Sequence, residues 1–254
     1  MFNLVKADLY RLFKTKSYYI VGAILAAFIL TLMYSLGDMI NSGVSAEQFD
    51  YGFNITNPQL IDLLYNVLMN TILPMIIGIG AAMYICTDYS SGYIKNIASS
   101  VNNKATIALS KFITMIVGVT IYFILMILLT YIFGTLLIGN VVIGDVAAIL
   151  QYAGMSLFLN LVIVAFVILA ASFFRSSAAT ITLIVVVVMT AQLGYQVLDQ
   201  FLGLDLAEFS PIMNIGILTP ANTELWGTMI ISGLVFMGIY IASSLVTMEK
   251  KDIT

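Results

Sequence analysis

Apolar residues along the chain gather into six long runs, separated by shorter polar stretches. The runs lie near 18–36, 66–87, 112–138, 149–173, 178–198 and 225–248. Each is close to the ~20 helical residues needed to cross a hydrocarbon core of about 30 Å. Asp, Glu, Lys and Arg are absent from their cores, as expected where a charge at the bilayer centre costs roughly 3 kcal/mol or more. Barrel strands would alternate with a period of two, and these runs do not. The pattern predicts an all-α, polytopic membrane protein with six transmembrane helices. Residues 1–254 form a single transmembrane domain, with no internal repeat and no separate soluble unit.

The segments between the runs have patterns of their own. In residues 1–16, MFNLVKADLYRLFKTK, Phe2, Val5, Leu9, Leu12 and Phe13 share about a third of a helical wheel, and Asn3, Asp8, Arg11 and Lys14 lie elsewhere on it. This predicts an interfacial, amphipathic elbow helix with its apolar face in the acyl boundary and its basic face toward anionic headgroups. A cleaved secretory signal fits poorly, because the apolar run from Tyr18 to Leu36 is too long and ends in no convincing cleavage site. Gly22, Ala23, Ala26 and Ala27 give span one a stripe of small residues, suited to close approach of a second helix or to ordinary packing within one protomer. Pro74, downstream of Asn66 and Asn70, is expected to kink span two. The stretch 199–226 is half apolar and carries Pro211 and Pro220. It reads as short helices re-entering the outer leaflet or packed as a lid before helix six, with Trp226 marking the outer interface.

Charge sets the orientation. The ten basic residues are Lys6, Arg11, Lys14, Lys16, Lys95, Lys104, Lys111, Arg175, Lys250 and Lys251, and six crossings put all of them on one side with both termini. Asp38, Glu47, Asp50, Asp62, Asp145, Asp199, Asp205, Glu208 and Glu224 fall on the other. The positive-inside rule then places both termini in the cytoplasm of a multi-pass plasma-membrane protein. The net charge of −3 is a sum of two opposed faces and points to no nucleic-acid partner. With 61% hydrophobic and 9% charged residues, the chain is far from the quarter charged of a soluble domain.

The chemistry available is sparse. No histidine and a single cysteine, Cys86, exclude zinc clusters, Cys–His nucleophiles and Ser–His–Asp triads, and Cys86 reads as a small buried hydrophobe. No GxxxxGK[ST] phosphate loop is present. The chain is therefore expected to be no enzyme and to bind no cofactor itself. Gln192, Tyr195, Gln196 and Asp199 share a face of span five, Asn66 and Asn70 share one on span two, and Asn160 lies within span four. These polar groups suit either interhelical hydrogen bonds or the lining of a translocation path, for which Gln192, Tyr195, Gln196 and Asn70 are the candidates.

The polar island 87–111, TDYSSGYIKNIASSVNNKATIALSK, carries three basic residues between two apolar runs. Tyr93 or Ile94, Ile97 and Val101 recur at helical spacing with Lys95, Asn96 and Ser99 between them. That predicts a short helix with one docking edge and one polar edge, entered through Ser90-Ser91-Gly92. Lys111 is expected to anchor span three at the headgroups. A solvated basic loop without a partner fits the composition equally.

The whole layout resembles permease subunits of ABC-2 type ABC transporters, in particular small peptide-export or antimicrobial-peptide-immunity permeases. In the island, the resemblance rests on Asp88, Gly92, Lys95, Lys104 and Ser110-Lys111. Asp88 and Tyr93 stand where Glu and Thr are commoner, and Asn102 and Lys104 where Pro and Arg are often found. The resemblance implies a cytoplasmic coupling helix that sits in a groove of a separate ATPase subunit, with Asp88, Gly92, Tyr93, Ile94, Lys95, Ile97, Val101 and Lys104 at the contact. It also implies a second permease copy or related permease, with ATP and Mg on the partner ATPase. The expected activity is ATP-driven export of an amphipathic or hydrophobic compound, most naturally a peptide. A secondary transporter or channel, or a non-transporting membrane scaffold, is the alternative.

Overall fold

The computed structural model describes residues 2–42, 58–99, 104–202, 206–221 and 223–250, and among these every regular element is helical. They are α1 (Phe2–Lys14), α2 (Lys16–Asn41), α3 (Leu60–Leu68), α4 (Ile72–Ser90), α5 (Tyr93–Ala98), α6 (Ala105–Leu137), α7 (Val146–Phe174), α8 (Ser177–Leu202), a 3₁₀ turn (Leu206–Phe209), α9 (Pro211–Ile217) and α10 (Trp226–Lys250). Five helices, α2, α4, α6, α7 and α10, are long and apolar enough to cross a membrane. Helix α8 is continuous, but its apolar stretch, Ser177–Ala191, is shorter.

Helix α7 is the central post, with α4, α6, α8, α9 and α10 packed around it. It is the most buried of the long helices through its middle, with Val146, Leu150, Phe173 and Phe174 exposed toward its ends, whereas α10 and α2 keep long exposed stripes such as Ile231, Leu234 and Val235, or Tyr19, Ile20 and Ile24. Such stripes suit a lipid environment, where apolar exposure carries no penalty.

The chain turns from α1 into α2 at Thr15, whose extended backbone interrupts the helix while its hydroxyl donates to the Arg11 carbonyl at 2.7 Å. Both helices then lean on α6. Tyr18 stacks on Tyr122 with ring centroids 4.6 Å apart. The Tyr122 hydroxyl donates to the Tyr18 carbonyl at 2.6 Å, and the Tyr18 hydroxyl to the Gly118 carbonyl at 3.1 Å. Gly118 lets Leu12 pack close: a Cβ would stand 2.9 Å from Leu12 Cδ2, so the leucine would have to shift.

Span two differs from its expected form. The chain breaks at 69–71, between α3 and α4, and Pro74 falls in the first turn of α4. A proline there loses no intrahelical bond, so the helix restarts instead of kinking. Asn70 caps the restart, its Oδ1 accepting from Ile72 N–H at 3.0 Å, while Asn66 Nδ2 donates to the Asp62 carbonyl within α3. The two asparagines therefore do not share a helical face. Gln59 and Asp62 form a capping box at the start of α3, and Leu60 and Val142 pair by backbone through a short bridge at Gln59.

The described basic residues lie at the bundle end that holds α1, α5 and the α7–α8 turn. Asp38, Asp62, Asp145, Glu208 and Glu224 lie at the opposite end, with α3, the α6–α7 turn and α9.

Candidate functional site

At the basic end, four charged side chains from three helices meet out of solvent. Asp8 comes from α1, Asp88 from the last turn of α4 and Lys111 from the second turn of α6, and all three are at most 2% exposed. Arg11, one turn after Asp8, completes the set at the rim. Lys111 Nζ donates to Asp8 Oδ1 at 2.6 Å and also to Asp88 Oδ2. Arg11 Nη2 pairs with Asp88 Oδ1 at 2.6 Å. Ser110 Oγ donates to Asp8 Oδ2 at 2.6 Å, and the Tyr84 hydroxyl to the Asp8 backbone carbonyl at 2.8 Å.

Two carboxylates face two cations, so the cluster is neutral as a whole, and each buried oxygen has a donor. That balance allows ions to be buried at all, because the desolvation of each must be offset by close, well-oriented partners. Tyr93, the first residue of α5, closes the cluster. The Arg11 guanidinium lies 3.2 Å from its ring centroid, a stacked cation–π geometry, and its hydroxyl faces Asp8 Oδ1 at 3.4 Å. Burial pushes the Tyr93 phenol up from its ordinary value, partly opposed by the hydrogen bond with Arg11. The cluster thus ties together α1, α4, α5 and α6.

The expected coupling residues divide between this cluster and the surface. Gly92 sits in the left-handed region, φ 71°, and makes the turn from α4 into α5. Ile94 points inward and is buried, Ile97 is half-buried against the core, and Lys95 and Asn96 are exposed. The short helix therefore has the expected inner and outer edges, but it spans six residues, because α4 extends through Tyr89 and Ser90. Lys104 precedes the first residue of α6 and is half-buried. Val101 lies outside the described residues. Asp88 is committed to Arg11 and Lys111 inside the protein and offers no surface to a partner.

Lys111 does not reach the headgroups as expected. Helix α6 begins at Ala105, so Lys111 lies inside the helix and turns into the bundle, where two carboxylates hold it. Helix α1 is likewise rotated toward its polar side. Asp8 and Leu12 face inward, while Phe2, Tyr10 and Phe13 face outward. The sequence did carry a signal for this: Asp8 and Asp88 are the acidic residues that fall on the basic side ahead of the C-terminal segment. Lone carboxylates among lysines are candidates for buried pairing.

Of the path candidates, Tyr195 on α8 lines a small cavity of about 40 Å³ with Phe166, Ile212, Phe236 and Tyr240. A larger cavity of about 260 Å³ lies beside it, between Thr71, Val188, Met189, Ile212, Met213 and Gly216. Asn70 is next to Thr71, but its amide oxygen serves the backbone of α4. Gln192, Gln196 and Asp199 are described only as positions on α8. Asn160 is buried in α7, donating to the Ser156 carbonyl at 2.9 Å. Among the described residues, no group of His, Cys, Asp and Glu could hold a metal ion.

No curated protein matches the chain. A family model described as "ABC-2 family transporter protein" matches residues 4–191, well over half the chain and the whole of the ion cluster. The protein is a multi-pass membrane protein that belongs to this ABC-2 transporter family.

Proposed function

We propose that the chain is the permease subunit of an ATP-driven exporter and that α5 is its coupling helix, seated in a groove of a separate ATPase that binds ATP and Mg. Family membership implies an ABC ATPase partner. The observation that carries the assignment is α5 itself: a six-residue helix at the turn between two long apolar helices, Ile94 inward and Lys95 and Asn96 outward. The chain carries no phosphate loop, so the energy source belongs on another subunit.

In this reading the chain crosses the plasma membrane six times with both termini inside. The sixth crossing is α8, whose 26 residues span about 39 Å at 1.5 Å per residue. The segregation of basic and acidic residues supports the orientation. Helix α1 serves as the elbow, and the 3₁₀ turn and α9 serve as the re-entrant segment, packed on α7, α8 and α10. Two permeases, identical or related, would form the path between them. An amphipathic or hydrophobic compound, most naturally a peptide, would travel along it past α8.

The test is capture of the ATPase by the tagged permease from its native membrane. Lys95→Glu and Ile97→Asp are expected to abolish capture while the purified permease melts within a few degrees of the parent. Undiminished capture by both variants overturns the assignment. Flux through the chain alone in liposomes, driven by an ion gradient, would overturn the ATP-driven reading in favour of a secondary carrier.

A further inference from the structure

We propose that Asp8 and Lys111 are positioning residues that fasten α1 to α5, α4 and α6, so that a push received on α5 moves all four as one body. The inference rests on α5 being the element that receives the ATPase's force.

A helix of six residues has too few internal hydrogen bonds to stand alone. Its own anchors are the buried Ile94, the half-buried Ile97 and Ala98, and the left-handed turn at Gly92. Force applied to it would be lost in local bending unless it were braced laterally. The brace observed is the ion cluster: Tyr93 is clasped between the Arg11 guanidinium and Asp8, Asp8 is held by Ser110 and Lys111 of α6, and Lys111 reaches back to Asp88 of α4. Every link crosses from one element to another. Charged hydrogen bonds in a water-poor site are directional and tolerate little sliding, so the cluster resists shear where an apolar contact would slip. Helix α1 has a second attachment in the seat of Leu12 against Gly118, but that contact engages only α6. The link between α1 and α5 runs through the cluster.

Charge balance separates this role from a merely structural one. Removing Lys111 alone leaves two carboxylates with one cation, and removing Asp8 alone leaves two cations with one carboxylate. Removing both leaves the Arg11–Asp88 pair, which is neutral. The double variant Asp8→Ala/Lys111→Met should therefore regain most of the melting temperature that either single variant loses, while the ties of Tyr93, Ser110 and Lys111 to Asp8 stay lost and Arg11 alone still joins α1 to α5.

The experiment places spin labels at Tyr10→Cys on α1 and Asn96→Cys on α5, both exposed, with the native Cys86 buried. Distances are read in the intact permease–ATPase complex, nucleotide-free and trapped with ATP and vanadate. In the otherwise unaltered permease one narrow distance distribution is expected, the same in both states. In the double variant the ATPase should still be captured, while the distribution widens at least twofold and shifts on trapping. A narrow, unchanged distribution in the double variant overturns the assignment, as does failure of the double variant to regain stability over the singles. The labelled Lys95→Glu permease, read alone, should keep the narrow distribution while losing the ATPase. Capture that survives Lys95→Glu would instead strike at the docking surface of α5, leaving the α1–α5 distance to judge the brace.

Discussion

The two ends of the bundle are held by different physics. At the basic end, Asp8, Asp88, Lys111 and Arg11 form a buried, charge-balanced cluster reinforced by Ser110, Tyr84 and Tyr93, with most contacts near 2.6–2.8 Å. At the acidic end, the side-chain contacts that α9 and its neighbours make are longer and neutral. Asn214 Nδ2 donates to Ser232 Oγ at 3.4 Å, the Tyr152 hydroxyl reaches the Leu218 carbonyl at 3.5 Å, and Asn214 Oδ1 has no partner among the described residues. Beside these, α8, α9 and the α3–α4 break border an open cavity of about 260 Å³. One end is cross-braced and the other has slack. On the proposed reading, a permease driven from one face would use that asymmetry: stiffness where force enters, and room to rearrange where a path must open.

The contrast can be broken at its stiff end first. Lys111→Met leaves Asp8 and Asp88 buried with one cation between them, and breaking a buried ion pair in this way costs about 3–5 kcal/mol. The expected result is the largest loss of thermal stability of any single substitution discussed here, read by unfolding of the purified protein in detergent. A loss below about 1 kcal/mol would mean that water reaches the cluster and the stiff end is not stiff.

A smaller effect is expected at the seat of α1. Gly118→Leu drives a side chain into Leu12, whose Cδ2 already lies 2.9 Å from an added Cβ. Overpacking of this kind costs about 1–3 kcal/mol. Relief by release of α1 should appear as new protease cleavage between residues 6 and 16. Intact resistance to the protease would show that α1 is held by the cluster alone.

The smallest effect belongs to the slack end. Gly216 lines the large cavity and has open space where a Cβ would point. Gly216→Leu is expected to leave stability unchanged or raise it by up to about 1 kcal/mol, because a helical glycine is replaced and a void partly filled. Transport by the assembled complex should nonetheless fall. A destabilised Gly216→Leu protein would show that the acidic end is packed as tightly as the basic one.

Much of the fold is legible in the chain because a lipid environment makes it so. Apolar runs such as 149–173 can be satisfied only as helices, and Val146–Phe174 forms one within a few residues of those limits. The turn at Gly92 was legible for a similar reason, since a left-handed residue favours glycine. The break in span two was not. Pro74 signals a disturbance, but whether a helix kinks at proline or restarts before it depends on whether a neighbour such as Asn70 caps the new end. Of the candidate site, the short helix and its exposed Lys95 were visible, and the brace behind it was not. Lys111 at the edge of an apolar run looks like any snorkelling lysine, and Asp8 among basic residues looks solvated.

The sequence alone determined the helical membrane class and the segregation of basic from acidic residues, and offered the short helix of the polar island as one of two readings. Each follows from local rules: the cost of bare backbone in lipid, the cost of charge in lipid, and helical periodicity. Only the tertiary structure decided that Asp8 and Lys111, 103 positions apart, are partners. A helical wheel fixes directions relative to a helix's own axis and leaves the rotation of that axis free. Here the fit of Leu12 against Gly118 and the demand of a buried lysine for carboxylates set the rotation of α1, bringing Asp8 inward beside Leu12 while Asn3 and Lys14 stay exposed.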